Sequence, residues 1–190
     1  VSTPVLSGGK VITGFSDGFL VALKAGDGSE VWIKNLAENK NAVFKDVDVQ
    51  PIVKNGIIYT ASFQGGVFVL DSAKGEIIWS RDIKGIAGLS LCDDRIIYSS
   101  SDGEIGALDF LNGDLKAKNA ISRHISSAFA CSPDYLIAPC EGGIFVADKS
   151  LNPVAMLSFP YGISSQPAVS NGEIFFVSNG GYLHSFEFMN

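Results

Sequence analysis

The chain has 190 residues, 46% of them hydrophobic and 18% charged, which is enough apolar material for a sizeable core and excludes a disordered chain. With a net charge of −6 it carries no electrostatic footprint for nucleic acid or anionic lipid, and no apolar run approaches bilayer-spanning length. Glycine is the outlier at 21 residues, about 11% against a usual share of about 7%, and implies many tight turns.

Taken in chain order, one unit recurs along the full length. A small-residue turn leads into an apolar strand at Ser16-Asp17-Gly18 (strand 19–23), Gln64-Gly65 (66–70), Ser101-Asp102-Gly103 (104–108), Glu141-Gly142 (143–147) and Gly180-Gly181 (182–186). The anchoring glycines, Gly18, Gly65, Gly103, Gly142 and Gly181, are spaced by 47, 38, 39 and 39 residues, a period that marks a propeller blade or similar repeat. Nine residues beyond each apolar strand stand Trp32, Trp79, Ala117 and Met156. Ahead of the anchor, Pro4-Val5-Leu6, Pro51-Ile52-Val53 and Pro167-Ala168-Val169 each lead to a short turn, Gly8-Gly9, Asn55-Gly56 or Asn171-Gly172, and a second apolar run. Asn-Gly between apolar runs is a hairpin signal.

Each unit therefore reads as four short antiparallel strands, placed in the second repeat at 50–54, 57–63, 67–71 and 77–82. Four-stranded sheets in tandem predict an all-β fold, a β-propeller of four-stranded antiparallel blades; a solenoid would carry one strand or one helix pair per unit. The expected organisation is a single propeller segment over 1–190, with repeats at about 1–47, 48–86, 87–124, 125–163 and 164–190. About four and three-quarter blades are present, because the fifth stops after its third strand at 182–189. The missing strand is expected from upstream of Val1 in a longer ring, or through self-association of an incomplete one. The opening Val1-Ser2-Thr3-Pro4 carries neither an initiator Met nor a leader, so residue 1 is read as lying inside a longer gene product. The longer first interval holds a polar insertion at 38–44 that would enlarge one inter-blade loop.

The run Leu70-Asp71-Ser72-Ala73-Lys74-Gly75-Glu76-Ile77-Ile78-Trp79, with 23–32 as its weaker copy, resembles the pyrroloquinoline quinone-type propeller repeat. That resemblance implies that Trp32 and Trp79 dock between neighbouring blades, and that Ala117 and Met156 pack differently. A longer stretch, Asp46-Val47-Asp48-Val49-Gln50-Pro51 through Phe63-Gln64-Gly65 to Trp79, together with the strand after Gly181, is similar to the BamB family of outer-membrane β-barrel assembly lipoproteins. The similarity implies a non-catalytic periplasmic scaffold without a cofactor, matching the C-terminal half of an eight-bladed ring and anchored to the outer membrane upstream of residue 1. It implies a protein partner, the barrel-inserting subunit, met through Leu70, Ser72 and Ala73, with Asp102 on the next blade as a further contact. Ser72 and Ala73 stand where well-known members carry leucine and arginine.

Two other readings share the repeat: a fragment of a quinone-dependent dehydrogenase, and a propeller sensor domain of a larger protein. The dehydrogenases resemble one another in adjacent cysteines over the quinone, and this chain has no Cys-Cys dipeptide. Cys92, Cys131 and Cys140 form no CxxC pair and read as buried thiols. Cys92 and Cys131 occupy equivalent places on innermost strands of neighbouring blades; a disulfide needs α-carbons within about 7 Å, and equivalent packing positions are the preferred reading. His124 and His184 have no Cys or carboxylate at ligand spacing and read as surface or hydrogen-bonded residues. Asp46 and Asp48 would share a strand face, but two carboxylates fall short of the six to eight oxygens about a calcium ion, and a turn role is preferred. Asp93-Asp94 reads as a hairpin turn, and Gly8-Gly9 and Gly65-Gly66 as blade turns, since a phosphate cradle must open a helix.

Overall fold

The computed structural model describes residues 2–37, 46–121, 125 and 127–187, and among these every regular element is a strand. The expected insertion at 38–44 and His124 lie outside the described residues. The chain divides into two compact units, Val1–Ile86 and Ala87–Asn190.

The first unit holds two four-stranded antiparallel meanders, β1 (Val5–Ser7) to β4 (Glu30–Asn35), and β5 (Ile52–Lys54), β6 (Ile57–Ser62), β7 (Gly66–Asp71) and β8 (Ile77–Arg81). Within β1 to β4 lie β2 (Lys10–Gly14) and β3 (Phe19–Lys24). The strands of the second sheet agree with the sequence reading to within two residues. Their tightest turn is Asn55-Gly56, with φ of 52° and 77°, values that asparagine and glycine adopt more readily than other residues. Ile12, Leu20, Ala22, Trp32, Val47, Ile58, Phe68 and Leu70 form one buried cluster in this unit. Each fully buried Leu or Ile contributes about 1.5–3 kcal/mol.

The second unit holds the third sheet, β9 (Ile86–Cys92, entering from the last residue of the first unit), β10 (Arg95–Ser100), β11 (Glu104–Asp109) and β12 (Leu115–Ala120). The fourth is β13 (Ala130–Cys131), β14 (Tyr135–Cys140), β15 (Gly143–Asp148) and β16 (Pro153–Ser158). The fifth has three strands, β17 (Ala168–Ser170), β18 (Glu173–Val177) and β19 (Leu183–Glu187). One buried cluster gathers Ile97, Ile105, Phe129, Leu136, Phe145 and Leu151, and a second gathers Ile137, Ile144, Ile163, Ile174 and Phe176. Asp93-Asp94 makes the β9–β10 turn, with Asp93 at φ 58°.

Third and fourth strands pair with a register shift at the same place in all four complete sheets, after Ala22, Val69, Ala107 and Val146. Such bulges raise the local twist. Opposite those residues stand Trp32, Trp79, Ala117 and Ala155. The fourth sheet thus departs from the nine-residue count: its turn is one residue shorter, so Ala155 takes the tryptophan place and Met156 pairs with Phe145. Met156 packs instead against the cluster of Phe129 and Leu151, 3.5 Å from the Cys140 sulfur.

Two cysteines are not free thiols. Cys92 and Cys131 are joined in a disulfide with α-carbons 5.9 Å apart, while Cys140 remains a buried thiol. Their equivalence along the repeat predicts equivalent packing, yet it also puts them side by side at the ends of β9 and β13.

Candidate interaction surface

The turn between third and fourth strands is built the same way in successive sheets. Asp71 Oδ1 accepts the backbone N–H groups of Ala73 and Lys74, both at 2.9 Å, and the Gly75 N–H closes on the Asp71 carbonyl at 2.8 Å. Asp109 Oδ1 accepts from Leu111 at 2.9 Å, and Asp148 Oδ1 from Ser150 at 2.8 Å and Asn152 at 2.9 Å. An aspartate at the strand end thus folds its own turn and leaves the following side chains outward. The first sheet has Lys24 at that place and uses Asp27, which accepts from Ser29 at 2.9 Å. Backbone N–H donors hold the carboxyls of Asp27 and Asp109 below their ordinary range, and the Asn152 side chain does the same first for Asp148.

Within the first unit this turn has an inward task. Trp32 Nε1 donates to the Ser72 carbonyl at 3.2 Å, and the indole lies over Gly75. Ser72 is half-buried by that contact, Ala73 and Lys74 are exposed, and Leu70 is completely buried. Leu70 therefore offers no surface to a partner. It points into the cluster of Ile12, Trp32 and Ile58, because β7 is covered on both faces from Gly66 to Leu70. Trp79 is half-buried, with Nε1 shielded from solvent and unpartnered among the described residues.

The anchoring glycines occupy the opposite end of each sheet. Gly18, Gly103 and Gly142 accept through their carbonyls the N–H of the residue leaving the fourth strand: Leu36 at 2.9 Å, Ile121 at 2.8 Å and Phe159 at 3.0 Å. Gly18, Gly103, Gly142 and Gly181 take φ of 82° to 94°, whereas in the second sheet the left-handed residue is Gly66, at 97°, rather than Gly65. Asp102, in the same kind of turn, is exposed, and the Ser100 hydroxyl that it accepts holds its carboxyl low. Nearby, Tyr98 donates to Glu104 Oε1 at 2.7 Å, and Lys118 pairs with the other oxygen of Glu104. Burial, followed by the Glu104 carboxylate, pushes the Tyr98 phenol upward.

Other sequence candidates take structural places. Asp46 and Asp48 are not on a strand; they flank Val47, which is buried against Gly14. His184 Nε2 is 3.1 Å from Ser178 Oγ, and its ring stacks on Phe176 with centroids 5.2 Å apart. Among the described residues no group of three His, Cys, Asp or Glu side chains could hold a metal ion. Missed in the sequence were exposed apolar residues beside the turns: Ile78 (52% exposed), Leu111 (67%) and Leu115 (57%). Leu111 stands two residues after Asp109, as Ala73 does after Asp71, so the repeat register alone could have picked it out.

A family model described as "Outer membrane protein assembly factor BamB" matches residues 1–119. The chain belongs to the BamB family. The BamB of Kangiella koreensis is 27% identical over 98% of this chain and 50% of its own length, and that of Legionella pneumophila 23% identical over 96% and 50%. The chain thus spans about half the length of these curated relatives. The crystal structure of BamB from Moraxella catarrhalis matches 99% of this chain and 59% of its own, with a TM-score of 0.84 at 20% identity. The computationally designed Ika8 protein matches 98% of this chain and 57% of its own, with a TM-score of 0.78 at 16% identity. The fold is accordingly that of a BamB-like β-propeller, with four complete blades and a fifth of three strands among the described residues.

Proposed function

We propose that this chain serves as a non-catalytic scaffold in outer-membrane protein assembly, holding a protein partner through the turns of its blades. One observation carries the reading: similarity to relatives named outer membrane protein assembly factor runs over 98% of the chain, across all five repeats. Fold alone would not support it, because propeller folds host many activities. On this reading the protein works in the periplasm, with its membrane anchor upstream of residue 1, and its partner is the barrel-inserting subunit. The proposed contacts are the outward sides of third-to-fourth-strand turns, Ala73 and Lys74 in the first unit and, in the second, Leu111, with Asp102 at the opposite end of its sheet.

The test is capture of the periplasmic domains of the barrel-inserting subunit by the immobilised chain, beside a thermal melt with quinone and calcium. Capture without thermal stabilisation is expected. A ligand-dependent rise in melting temperature, or absence of capture, overturns the scaffold reading.

A further inference from the structure

In the first unit the junction between two sheets is closed by an indole on a glycine, but the junction between the third and fourth sheets has Ala117 at the indole place. There β9 and the residues leading into and ending β13 meet along alternate positions. A Cβ on Gly88 would lie 2.5 Å from the Ser127 carbonyl oxygen, so only glycine lets the backbones come this close. Two residues on, Ser90 Oγ donates to the Phe129 carbonyl at 2.8 Å. Two further on, the Cys92–Cys131 disulfide spans α-carbons 5.9 Å apart. Ser90 and Phe129, like the two cysteines, are 39 residues apart, one repeat, so equivalent positions of adjacent sheets face one another.

Non-covalent ties lie at the same junction. Arg95 Nη1 donates to the Lys149 carbonyl at 2.6 Å, Lys149 Nζ pairs with Asp93 at 3.0 Å, and Asn119 Nδ2 donates to the Leu151 carbonyl at 3.0 Å. These contacts use no sulfur, so they can bring the two cysteines together before any bond exists. Cys92 is 1% exposed whereas Cys131 is half-buried, which leaves Cys131 as the sulfur that an exchange partner reaches.

We propose that Cys92–Cys131 is a redox-responsive lock on this junction, closed by exchange with a protein disulfide of a thiol–disulfide oxidase. The Cys131 thiolate attacks one sulfur of the oxidase disulfide, forming a mixed disulfide and releasing one oxidase thiolate. The Cys92 thiolate then attacks the Cys131 sulfur and releases the second. The chain gives up two protons and two electrons, and the oxidase disulfide becomes a dithiol. Reduction runs the sequence backwards and leaves the two sheets held by non-covalent contacts alone.

The experiment compares the air-oxidised chain with the same chain in dithiothreitol. Alkylation in denaturant without reductant should label Cys140 only, and after reduction all three cysteines. Reduction should lower the melting midpoint by about 10 °C, as expected for a cross-link closing a loop of this length. It should also speed amide exchange in β9 and β13 more than in β14 and β15. The Cys92→Ser/Cys131→Ser double variant should melt with the reduced wild type and ignore dithiothreitol, although Cys140 remains. Should that variant fail to fold, the reduced wild type decides alone. Three labelled cysteines without reductant, or equal midpoints and exchange in both states, overturn the proposal.

Discussion

Trp32 sits so close over Gly75 that a Cβ on residue 75 would lie 2.7 Å from two carbons of the indole. Gly75 also takes φ 71°, in the left-handed region, so alanine there meets both the ring and a disfavoured backbone. Gly75→Ala is expected to destabilise the chain by about 2–3 kcal/mol through overpacking and backbone strain. Trp32→Ala should cost about 3–5 kcal/mol by emptying the same place. Urea unfolding followed by circular dichroism measures both, and a Gly75→Ala loss below about 0.5 kcal/mol would show that the indole is not seated on the glycine.

The third and fourth sheets reverse that size pairing. Ala117 stands at the tryptophan place and packs against the cluster that contains Leu151, a completely buried leucine at φ 69° in the turn of the fourth sheet. Where the first junction puts a large residue on the strand and none in the turn, this one puts a small residue on the strand and a large one in the turn. Ala117→Trp alone should overpack the cluster and cost about 1–3 kcal/mol. Leu151→Gly alone should open a cavity at a cost of about 2–5 kcal/mol, partly offset by relief of the backbone. In the double variant the indole has somewhere to go, so the combined loss should fall below the sum by about 1 kcal/mol or more. Strict additivity in the cycle would mean that the two positions do not share a space.

The period of small-residue turns was enough to place the sheets, because each turn needs residues that tolerate positive φ and Asn55-Gly56 and Asn171-Gly172 supply them at the chain positions where strands reverse. β7 and β15, by contrast, are covered on both faces, so their apolar runs carry no alternation from which to tell inward from outward. Leu70, which the family resemblance puts on the contact surface, stands next to last in such a strand and is buried. Cys92 and Cys131 were legible as equivalent positions but not as a pair, since bonding depends on a through-space distance that no spacing rule supplies. The shift from Met156 to Ala155 came from a single residue missing in one turn, which a count along the chain cannot register until the pairing is seen.

Acid should loosen the turns. Asp27, Asp102, Asp109 and Asp148 are all held below the ordinary carboxylate value of 3.8 by hydrogen-bond donors that favour the ionised form. As pH falls the unfolded chain takes up protons first, so the stability these groups add is complete above about pH 3.8 and is lost as pH drops through their lower folded values. Asp27 and Asp102 are exposed, Asp109 and Asp148 half-buried, and the share of each is small. The measurable effect is a steeper acid limb in urea midpoints taken from neutral pH to about pH 2.5, flattened in Asp109→Asn and Asp148→Asn. An acid limb of unchanged slope in both variants would remove these turns from the pH dependence.

Partner capture should separate the buried leucine from the exposed one. Leu111 projects from the Asp109 turn with 67% of its surface exposed, whereas Leu70 has none. Leu111→Asp introduces a charge on the surface and breaks no packing, so the variant should melt within about 1 °C of wild type. If the outward faces of the turns meet the barrel-inserting subunit, binding covers the apolar side chain at the turn tip, and a carboxylate put in its place should weaken capture about tenfold or more. Ala73→Asp tests the corresponding turn of the first unit and should weaken capture with stability unchanged. Leu70→Asp should fail differently: it buries a carboxylate in the cluster of Ile12 and Ile58, and any loss of capture should track loss of the folded state seen by circular dichroism. Unaltered capture by Leu111→Asp and Ala73→Asp together would move the contact away from these turns.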